Sequence, residues 1–198
     1  MGLEAKTTAV KGQVSATGRL HVDSKQIAFT SKDLKWSLDL GPAVKTKSTN
    51  GQLVVWKGQD KITFDVEKVD RWIDKIMNPP SLLEKLGVKP EMKCWLSSGF
   101  SRTFRQQLKD GAASITRKIE NCDLAFLFLN DREQFGLMME TCEQLPEKIN
   151  IWVVYPKGVQ QITQGDVMSQ MKKIGFGPGK TAAFDDQLSS MRYRRKQT

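Results

Sequence analysis

The positions of this chain that could do chemistry follow three apolar runs in its C-terminal half, at residues 92–96, 123–130 and 150–155. Runs of this kind are typical of buried parallel strands, and ligands bind such sheets in the cleft at the carboxyl ends of the strands. The residues that we expect in this cleft are Ser98, Gly99, Asn130, Asp131, Tyr155 and Lys157.

Two of these side chains have an obvious use in binding. Lys157 can meet an anion, and Tyr155 can stack on a ring or donate a hydrogen bond. The alternative interpretation is structural, because Tyr155 and Pro156 can simply end a buried strand while Lys157 points into water. We assign no catalytic residue from the sequence.

Cysteine and histidine chemistry is disfavoured by number and spacing. The chain has three cysteines, Cys94, Cys122 and Cys142, and one histidine, His21, which lies far from them in sequence. Cys94 and Cys122 lie in or beside apolar runs, where burial is the usual outcome. We therefore predict no metal site, no Cys–His nucleophile, and reduced thiols in a cytoplasmic protein.

Two further motifs have structural interpretations. The glycine-rich stretch 175–180 lacks the Ser/Thr-bearing helix start of a phosphate-binding loop, and Pro178 removes a backbone donor. We expect it to be a helix C-cap and a loop into the next strand. Asp185 and Asp186 are adjacent, so on a strand they would point to opposite faces, and a hairpin turn explains them better.

The charge balance makes anionic partners worth testing. Thirty-one Lys and Arg against 22 Asp and Glu give a net charge of +9. The one dense basic cluster, residues 192–196, would be split between the two faces of a strand, so nucleic-acid binding is kept only as an alternative. No run is long enough for a membrane helix, and the first twenty residues show no secretory signal.

The elements that must position the cleft alternate after residue 82. Besides the three apolar runs, we predict a weak strand at 112–115 and a terminal antiparallel pair at 180–184 and 189–195. Helical patterns lie between them at 101–108, 132–145 and 163–174, with Thr163 as N-cap and Asp166 in the capping-box position. Parallel strands joined by crossover helices predict a three-layer α/β sheet.

The N-terminal part has a different pattern. Apolar residues alternate in short runs separated by turn signals, of which Asn50-Gly51 is a strong hairpin signal. A helical face follows in residues 67–77, so we expect a small barrel closed by one helix. The boundary is Asn78-Pro79-Pro80-Ser81, because two prolines stop a helix. We therefore predict domains at 1–78 and 82–198, with a linker at 79–81.

The N-terminal pattern resembles the pleckstrin-homology-like family, including its bacterial and GRAM-type versions. Residues 18–22, 26–29 and 36–40 look like opening strands, and 69–73 looks like the closing helix with Trp72 in the core. Some members of that family bind acidic lipid head groups through basic residues on early strands and loops. The residues that could serve here are Lys25, Lys32 and Lys35. Isolated surface lysines contribute little, so we favour packing against the second domain or a protein partner over a lipid.

The C-terminal pattern resembles a methyltransferase-like Rossmann domain, whose last two strands form a hairpin. It is most similar to a bacterial family of unknown function built on a degenerate version of that fold. The residues that carry the resemblance are 86–90, 122–128, 151–158 and 187–193, and Tyr155-Pro156-Lys157-Gly158 is the most specific piece.

The resemblance raises the question of S-adenosylmethionine. Binding it requires a glycine-rich turn after the first strand and an acidic residue at the end of the second. Here the first turn has the single glycine Gly99, and the second strand ends in Thr116-Arg117-Lys118. We therefore predict a cytoplasmic bacterial protein that uses no cofactor and acts without catalysis, as a binding or scaffold protein for a protein partner or a small anionic ligand.

Two alternatives stay open. The first is an enzyme, such as an S-adenosylmethionine-dependent methyltransferase, and the second is a nucleic-acid-binding protein. One open pocket formed by Ser98, Asn130, Tyr155 and Lys157 would favour the enzyme. A cleft filled by Phe100 or by the N-terminal domain would favour the binding protein.

Overall fold

The computed structural model describes residues 2–196, and the chain divides into two compact units between Pro80 and Ser81. Unit 1 consists of a single antiparallel sheet followed by a helix, and unit 2 has helices on both faces of a mostly parallel sheet. The division falls at the prolines that mark the boundary in the sequence.

Unit 1 contains seven strands in the order β4-β3-β2-β1-β7-β6-β5. Their bounds, with the closing helix, are β1 Leu3–Lys11, β2 Val14–Val22, β3 Gln26–Thr30, β4 Lys35–Asp39, β5 Lys45–Thr49, β6 Gln52–Lys57, β7 Asp60–Phe64 and α1 Val69–Met77. All neighbouring strands are antiparallel. Helix α1 packs on β5 and β6, so it covers part of the apolar interior of the sheet.

Local sequence explains how unit 1 closes. Asn50 and Gly51 have φ of 50° and 76°, and the flanking residues Thr49 and Gln52 pair, as the predicted type I′ hairpin requires. Trp72 lies on the buried face of α1 and packs in the core of unit 1, as expected. Across the sheet, Trp36 Nε1 donates to Asp60 Oδ2 at 2.9 Å.

Two strands of unit 1 were not predicted. Strand β1 buries only small or polar residues, Thr7 and Ala9, so its period-two pattern has little apolar contrast. Strand β5, with the sequence KTKST, buries no side chain at all. Hydrophobic alternation cannot find either strand, because backbone pairing with the next strand, and not burial of apolar side chains, places each of them in the sheet.

Unit 2 is an α/β Rossmann-like unit, as the sequence predicts. Its elements are α2 Leu82–Leu86, β8 Lys93–Leu96, α3 Arg102–Asp110, β9 Ser114–Thr116, β10 Leu124–Phe128, α4 Phe135–Gln144, β11 Asn150–Pro156, α5 Gln164–Lys173, β12 Phe176–Ala183 and β13 Leu188–Arg195. The strand order is β12-β13-β11-β10-β8-β9, in which β9, β8, β10 and β11 are parallel and the last two strands form an antiparallel hairpin.

The two faces of this sheet are covered by different helices. Met138, Cys142 and Met171 from α4 and α5 pack in one apolar cluster, and Phe104 and Leu108 from α3 pack in another. The predicted capping box of α5 is present, with Thr163 Oγ1 accepting from the backbone N–H of Asp166 at 3.2 Å. Two layers of helices therefore fix the parallel strands and bring their carboxyl ends to one edge.

The glycine-rich stretch 175–180 is where the structure differs most from the expected C-terminal elements. Gly175 has φ of 82° just after α5, but the strand begins at Phe176 and not at Lys180. Pro178 is therefore inside β12 and not in a loop. The strand tolerates it because β12 is at the edge of the sheet and its register shifts between Pro178 and Thr181.

Two smaller boundaries also moved. Strand β9 begins at Ser114 and not at Ala112, because Ala112 has φ of 58° in the turn that ends α3. The helix predicted from residue 132 begins with a 3-10 turn, Arg132–Gln134, before α4.

Candidate functional site

The sheet of unit 2 has one topological switch point. From β8 the chain moves outward to β9, and it then returns to build β10 and β11 on the other side. Ligands of open α/β sheets bind in the crevice outside the carboxyl ends of the two strands at such a point. Here the crevice lies between the segment 97–101 after β8 and the segment 129–131 after β10.

Aromatic rings pack at this crevice. Phe100 comes from the first turn, is 8% exposed, and contacts Phe104, Phe126, Phe128 and Phe184 with ring centroids 5.4 to 6.2 Å apart. Several of these contacts are tilted or edge-to-face, which is the favourable arrangement for aromatic pairs. Phe100 therefore packs at the crevice, which is the filled arrangement considered in the sequence analysis.

Gly99 lies beneath one of these rings. Its φ is 97°, and a Cβ atom added there would come within 2.6 Å of Phe128 Cδ1. The backbone N–H of Phe128 also donates to Ser97 Oγ at 2.9 Å, which fixes the end of β10 against the turn. Only a residue without a side chain permits this approach, so the glycine accommodates a ring of its own chain.

Asn130 and Asp131 lie in the loop after β10 and take part in local hydrogen bonds. The backbone N–H of Asn130 donates to Gln134 Oε1, and Asp131 Oδ1 accepts from the backbone N–H of Glu133 at 2.9 Å. This loop is tied to the start of α5 by an ion pair of 2.8 Å between Arg132 Nη2 and Asp166 Oδ2.

Hydrogen bonds from Arg132 and Thr163 lower the pKa of Asp166 to about 2. Its carboxylate is therefore charged under all ordinary conditions, and its Oδ2 already accepts from Arg132 and Thr163 at the start of α5. It is a cap and a loop anchor.

Tyr155 lies in the apolar cluster under α4 and α5, whereas Phe100 and Phe128 pack on the opposite face of the sheet. Its side chain is buried, and burial raises the pKa of its hydroxyl. That hydroxyl makes no hydrogen bond of ordinary geometry within residues 2–196, although Ser189 is close enough to offset part of the rise in pKa. Tyr155 thus faces away from the rings at the crevice.

Lys157 is exposed and ties two strand ends together. Its Nζ donates to the carbonyl oxygen of Asp185 at 2.6 Å, and its backbone N–H donates to the carbonyl oxygen of Gln187 at 2.8 Å. Both acceptors are in the turn of the β12–β13 hairpin. A role for Lys157, Ser98 or Asn130 in ligand binding stays a prediction.

The cysteines are buried, and burial raises the pKa of Cys94 and Cys142 to about 12 and that of Cys122 to about 11. Their thiols are therefore protonated and poorly nucleophilic at neutral pH. His21 lies on unit 1, with Nδ1 at 3.0 Å from Glu4 Oε1. Over residues 2–196 there is no group of three or more His, Cys, Asp or Glu side chains placed to hold a metal ion.

A groove in unit 1 was missed by the sequence analysis. It has a volume of about 640 Å³ and is lined by the start of β1 and the junction of β7 with α1, including Lys6, Lys68, Arg71 and Trp72. Strand β1 pairs with β7 only at Ala9 and Val10, so its first half has β2 on one side and the groove on the other. Because β1 itself was not predicted, no sequence signal pointed to this groove.

Comparisons with known proteins find distant structural similarity only. No family model matches this chain, and no curated protein matches it. In the part of the chain that the structure describes, no helix is both long and apolar enough to span a bilayer.

Three solved structures illustrate the similarity. The chain resembles the N-terminal PH domain of human ARAP2 (17% identity, covering 39% of this chain and 76% of that one, TM-score 0.32). It also resembles an S-adenosylmethionine-dependent methyltransferase from Aquifex aeolicus (8% identity, 57% and 86%, TM-score 0.44). A third is the ribosomal protein L11 methylase of Lactobacillus delbrueckii subsp. bulgaricus (10% identity, 59% and 77%, TM-score 0.38). At these values the similarities carry no argument about function.

Proposed function

We propose that this protein acts without catalysis, as a binding or scaffold protein that joins a pleckstrin-homology-like unit to a degenerate methyltransferase-like unit. The observation that carries the proposal is the packing of Phe100 and Phe128 at the switch point of the α/β sheet. In an enzyme of this architecture, we expect that crevice to accept a cofactor or a substrate.

The residues at the crevice do not fit S-adenosylmethionine. The ligand needs backbone that it can approach closely, yet the space above Gly99 contains the ring of Phe128. It also needs a carboxylate for the ribose hydroxyls at the end of the second strand, where this chain has Arg117 and Lys118. Neither requirement is met at this edge of the sheet, so we expect no reaction that depends on S-adenosylmethionine.

What the protein binds follows from what remains exposed. Unit 1 offers a groove in which basic and acidic side chains surround the first half of β1. Unit 2 offers a polar and basic surface around a closed crevice. A protein partner or an anionic ligand suits such surfaces better than an apolar substrate does.

The test is ligand-induced stabilisation of the full chain. Thermal unfolding is followed by tryptophan fluorescence with S-adenosylmethionine and S-adenosylhomocysteine up to millimolar concentration. We expect no change in Tm. A ligand present at about 100 times its Kd would add about 2.7 kcal/mol, a shift of about 5–10 °C for a chain of this size.

Calorimetric titration at 25 °C is the second measurement, because two units can unfold separately and obscure a shift in one of them. Saturable heat with either ligand would contradict the proposal and make the protein an enzyme candidate. Phe128→Ala is the matched variant, since removing this ring is the smallest change that clears the space above Gly99. Binding by Phe128→Ala and not by the natural chain would show that the ring is what closes the crevice.

A further inference from the structure

Four basic side chains gather at one corner of unit 2, at the start of α3 and the end of β9. Strands β8 and β9 are parallel, with Trp95 opposite Thr116, and α3 runs back between them. The start of α3, with Arg102 and Arg105, is therefore at the same edge as Arg117 and Lys118, which follow β9. We call these four residues the α3–β9 corner.

Hydrogen bonds are formed at this corner. Arg105 Nη2 lies 3.5 Å from the carbonyl oxygen of Ser97, in the turn that leads to α3. After β9, Thr116 Oγ1 accepts from the backbone N–H of Lys118 at 3.2 Å, so the Arg117–Lys118 segment is held in a local turn. The cations therefore project from ordered backbone.

These charges are not neutralised within residues 2–196. Arg102, Arg117 and Lys118 are exposed, Arg105 is half-buried, and none of the four forms an ion pair there. The nearest carboxylate in sequence is Glu120, which is exposed in the 3-10 turn after Lys118. Four like charges close together repel one another, so this arrangement does not stabilise the fold.

The C-terminal basic cluster shows the opposite behaviour. Arg195 stacks over Phe176, with Cζ at 4.9 Å from the ring centroid, and its Nη2 donates to the carbonyl oxygen of Cys142 at 2.7 Å. Tyr193 on the same face is buried. One of the arginines in this cluster therefore holds the hairpin to α4, and the cluster does not form a single surface.

We propose that the α3–β9 corner binds the phosphate backbone of a nucleic acid. The inference rests on the proposed binding function and names the partner class. The corner is exposed, and repeated phosphates can meet several separated cations at once, with release of counterions. None of the exposed large apolar side chains of the described residues lies on α3 or β9, so the corner lacks the apolar anchor that a membrane or a protein interface uses.

The experiment is fluorescence anisotropy with the full chain and a labelled 20-nucleotide DNA of mixed sequence, single-stranded and duplex. Titrations at 50 and 200 mM NaCl give Kd and its salt dependence. The variant is Arg102→Gln/Arg117→Gln/Lys118→Gln, which leaves Arg105 on its carbonyl. We expect it to weaken binding at least about tenfold and to lower the slope of log K against log salt by about 2–3.

The matched control is Lys148→Gln/Lys172→Gln/Lys173→Gln, which removes the same charge from exposed lysines at the opposite edge of the sheet. We expect less than a threefold effect from it. Circular dichroism and thermal unfolding of both variants show whether they fold, and neither variant changes a buried residue.

Several results would overturn the inference. They are no binding by the natural chain at 50 mM NaCl, an equal loss in the control, or a larger loss in Arg192→Gln/Arg194→Gln. Competition by micromolar pyrophosphate would assign the corner to small phosphates instead. The test contains no S-adenosylmethionine, so its failure is separate from that of the proposed function, which fails only if the cofactor binds.

Discussion

The crevice at the switch point and the α3–β9 corner lie at the same edge of one sheet, yet they are built in opposite ways. At the crevice, Phe100 and Phe128 contact each other, and Phe100 is buried while Phe128 is half-buried. At the corner, Arg102 and Arg117 reach into solvent and pair with nothing in the described residues.

The difference shows that the side chains that stabilise the fold are not the ones that a partner can contact. Side chains whose contacts are all internal stabilise the fold, and they have no exposed surface or unpaired polar group for a ligand to contact. Side chains that repel one another and contact only water lower the stability slightly, and a partner of opposite charge can use them. In this molecule aromatic rings pack at the position that the architecture favours for ligands, and the exposed cations lie one strand further out.

The largest expected effect is on the aromatic side of this comparison. Phe100→Ala removes a ring with four aromatic neighbours and leaves a cavity, so we expect unit 2 to lose about 3–5 kcal/mol. Urea unfolding followed by tryptophan fluorescence measures it. Arg102→Ala is the paired change at the corner, and it should stay within about 0.5 kcal/mol. Equal losses in the two variants would break the comparison.

The second prediction concerns the backbone beneath the ring. Gly99→Ala places a Cβ atom at positive φ and within 2.6 Å of Phe128, so we expect a loss of about 2 kcal/mol in urea unfolding. Gly136→Ala is the control, since Gly136 lies in α4 with nothing within 4 Å of an added Cβ. That change should stabilise by about 0.5–1 kcal/mol. A neutral Gly99→Ala would mean that Phe128 can move away from the crevice.

The third prediction is a pH dependence from the ion pair that anchors the loop after β10. The pKa of Asp166 is about 2 in the fold and 3.8 without its partners, so its contribution is complete above about pH 4 and is lost as the pH falls towards 2. Thermal unfolding from pH 6 to 2.5 should show Asp166→Asn less stable than the natural chain at pH 6, with the gap closing at the acid end. Because pH 2.5 is still above the folded-state pKa, part of the gap should remain there, and a gap as large at pH 2.5 as at pH 6 would assign the difference to packing.

The smallest effect is expected at the corner itself. Replacing Arg102, Arg117 and Lys118 together by Gln relieves repulsion, so Tm should rise by about 1 °C in 20 mM salt. Because salt screens exposed charges, the gain should disappear in 0.5 M NaCl. A fall in Tm at low salt would mean that these cations have stabilising partners.

The sequence predicts much of unit 2 because its strands are short apolar runs and its helices carry caps. Thr163 with Asp166 is an example, in which two residues three apart specify where α5 begins. Strands β1 and β5 could not be predicted in this way, because their side chains bury little apolar surface, although each pairs with the next strand along the chain. The prediction of a loop at 176–179 was wrong for a related reason. Glycine and proline usually indicate a loop, but a strand at the edge of a sheet can contain them.

The candidate site shows the same limit. The positions after the strands could be located from sequence, because strand ends are local. That Phe128 would lie over Gly99, and that Tyr155 would face the other layer, depends on register and on the turn, which only the packed sheet defines. The α3–β9 corner needs the parallel pairing of β8 with β9 before its four residues become neighbours.

Pro178 has a further consequence, for how molecules of this protein behave in a crowded solution. Strand β12 is the last strand of the sheet, and an exposed last strand is a template on which another chain can add by backbone pairing. Proline supplies no N–H for such pairing, and the register shift after it bends the ladder. Glycine and proline in this edge strand therefore make it a poorer template for another chain than a regular strand would be.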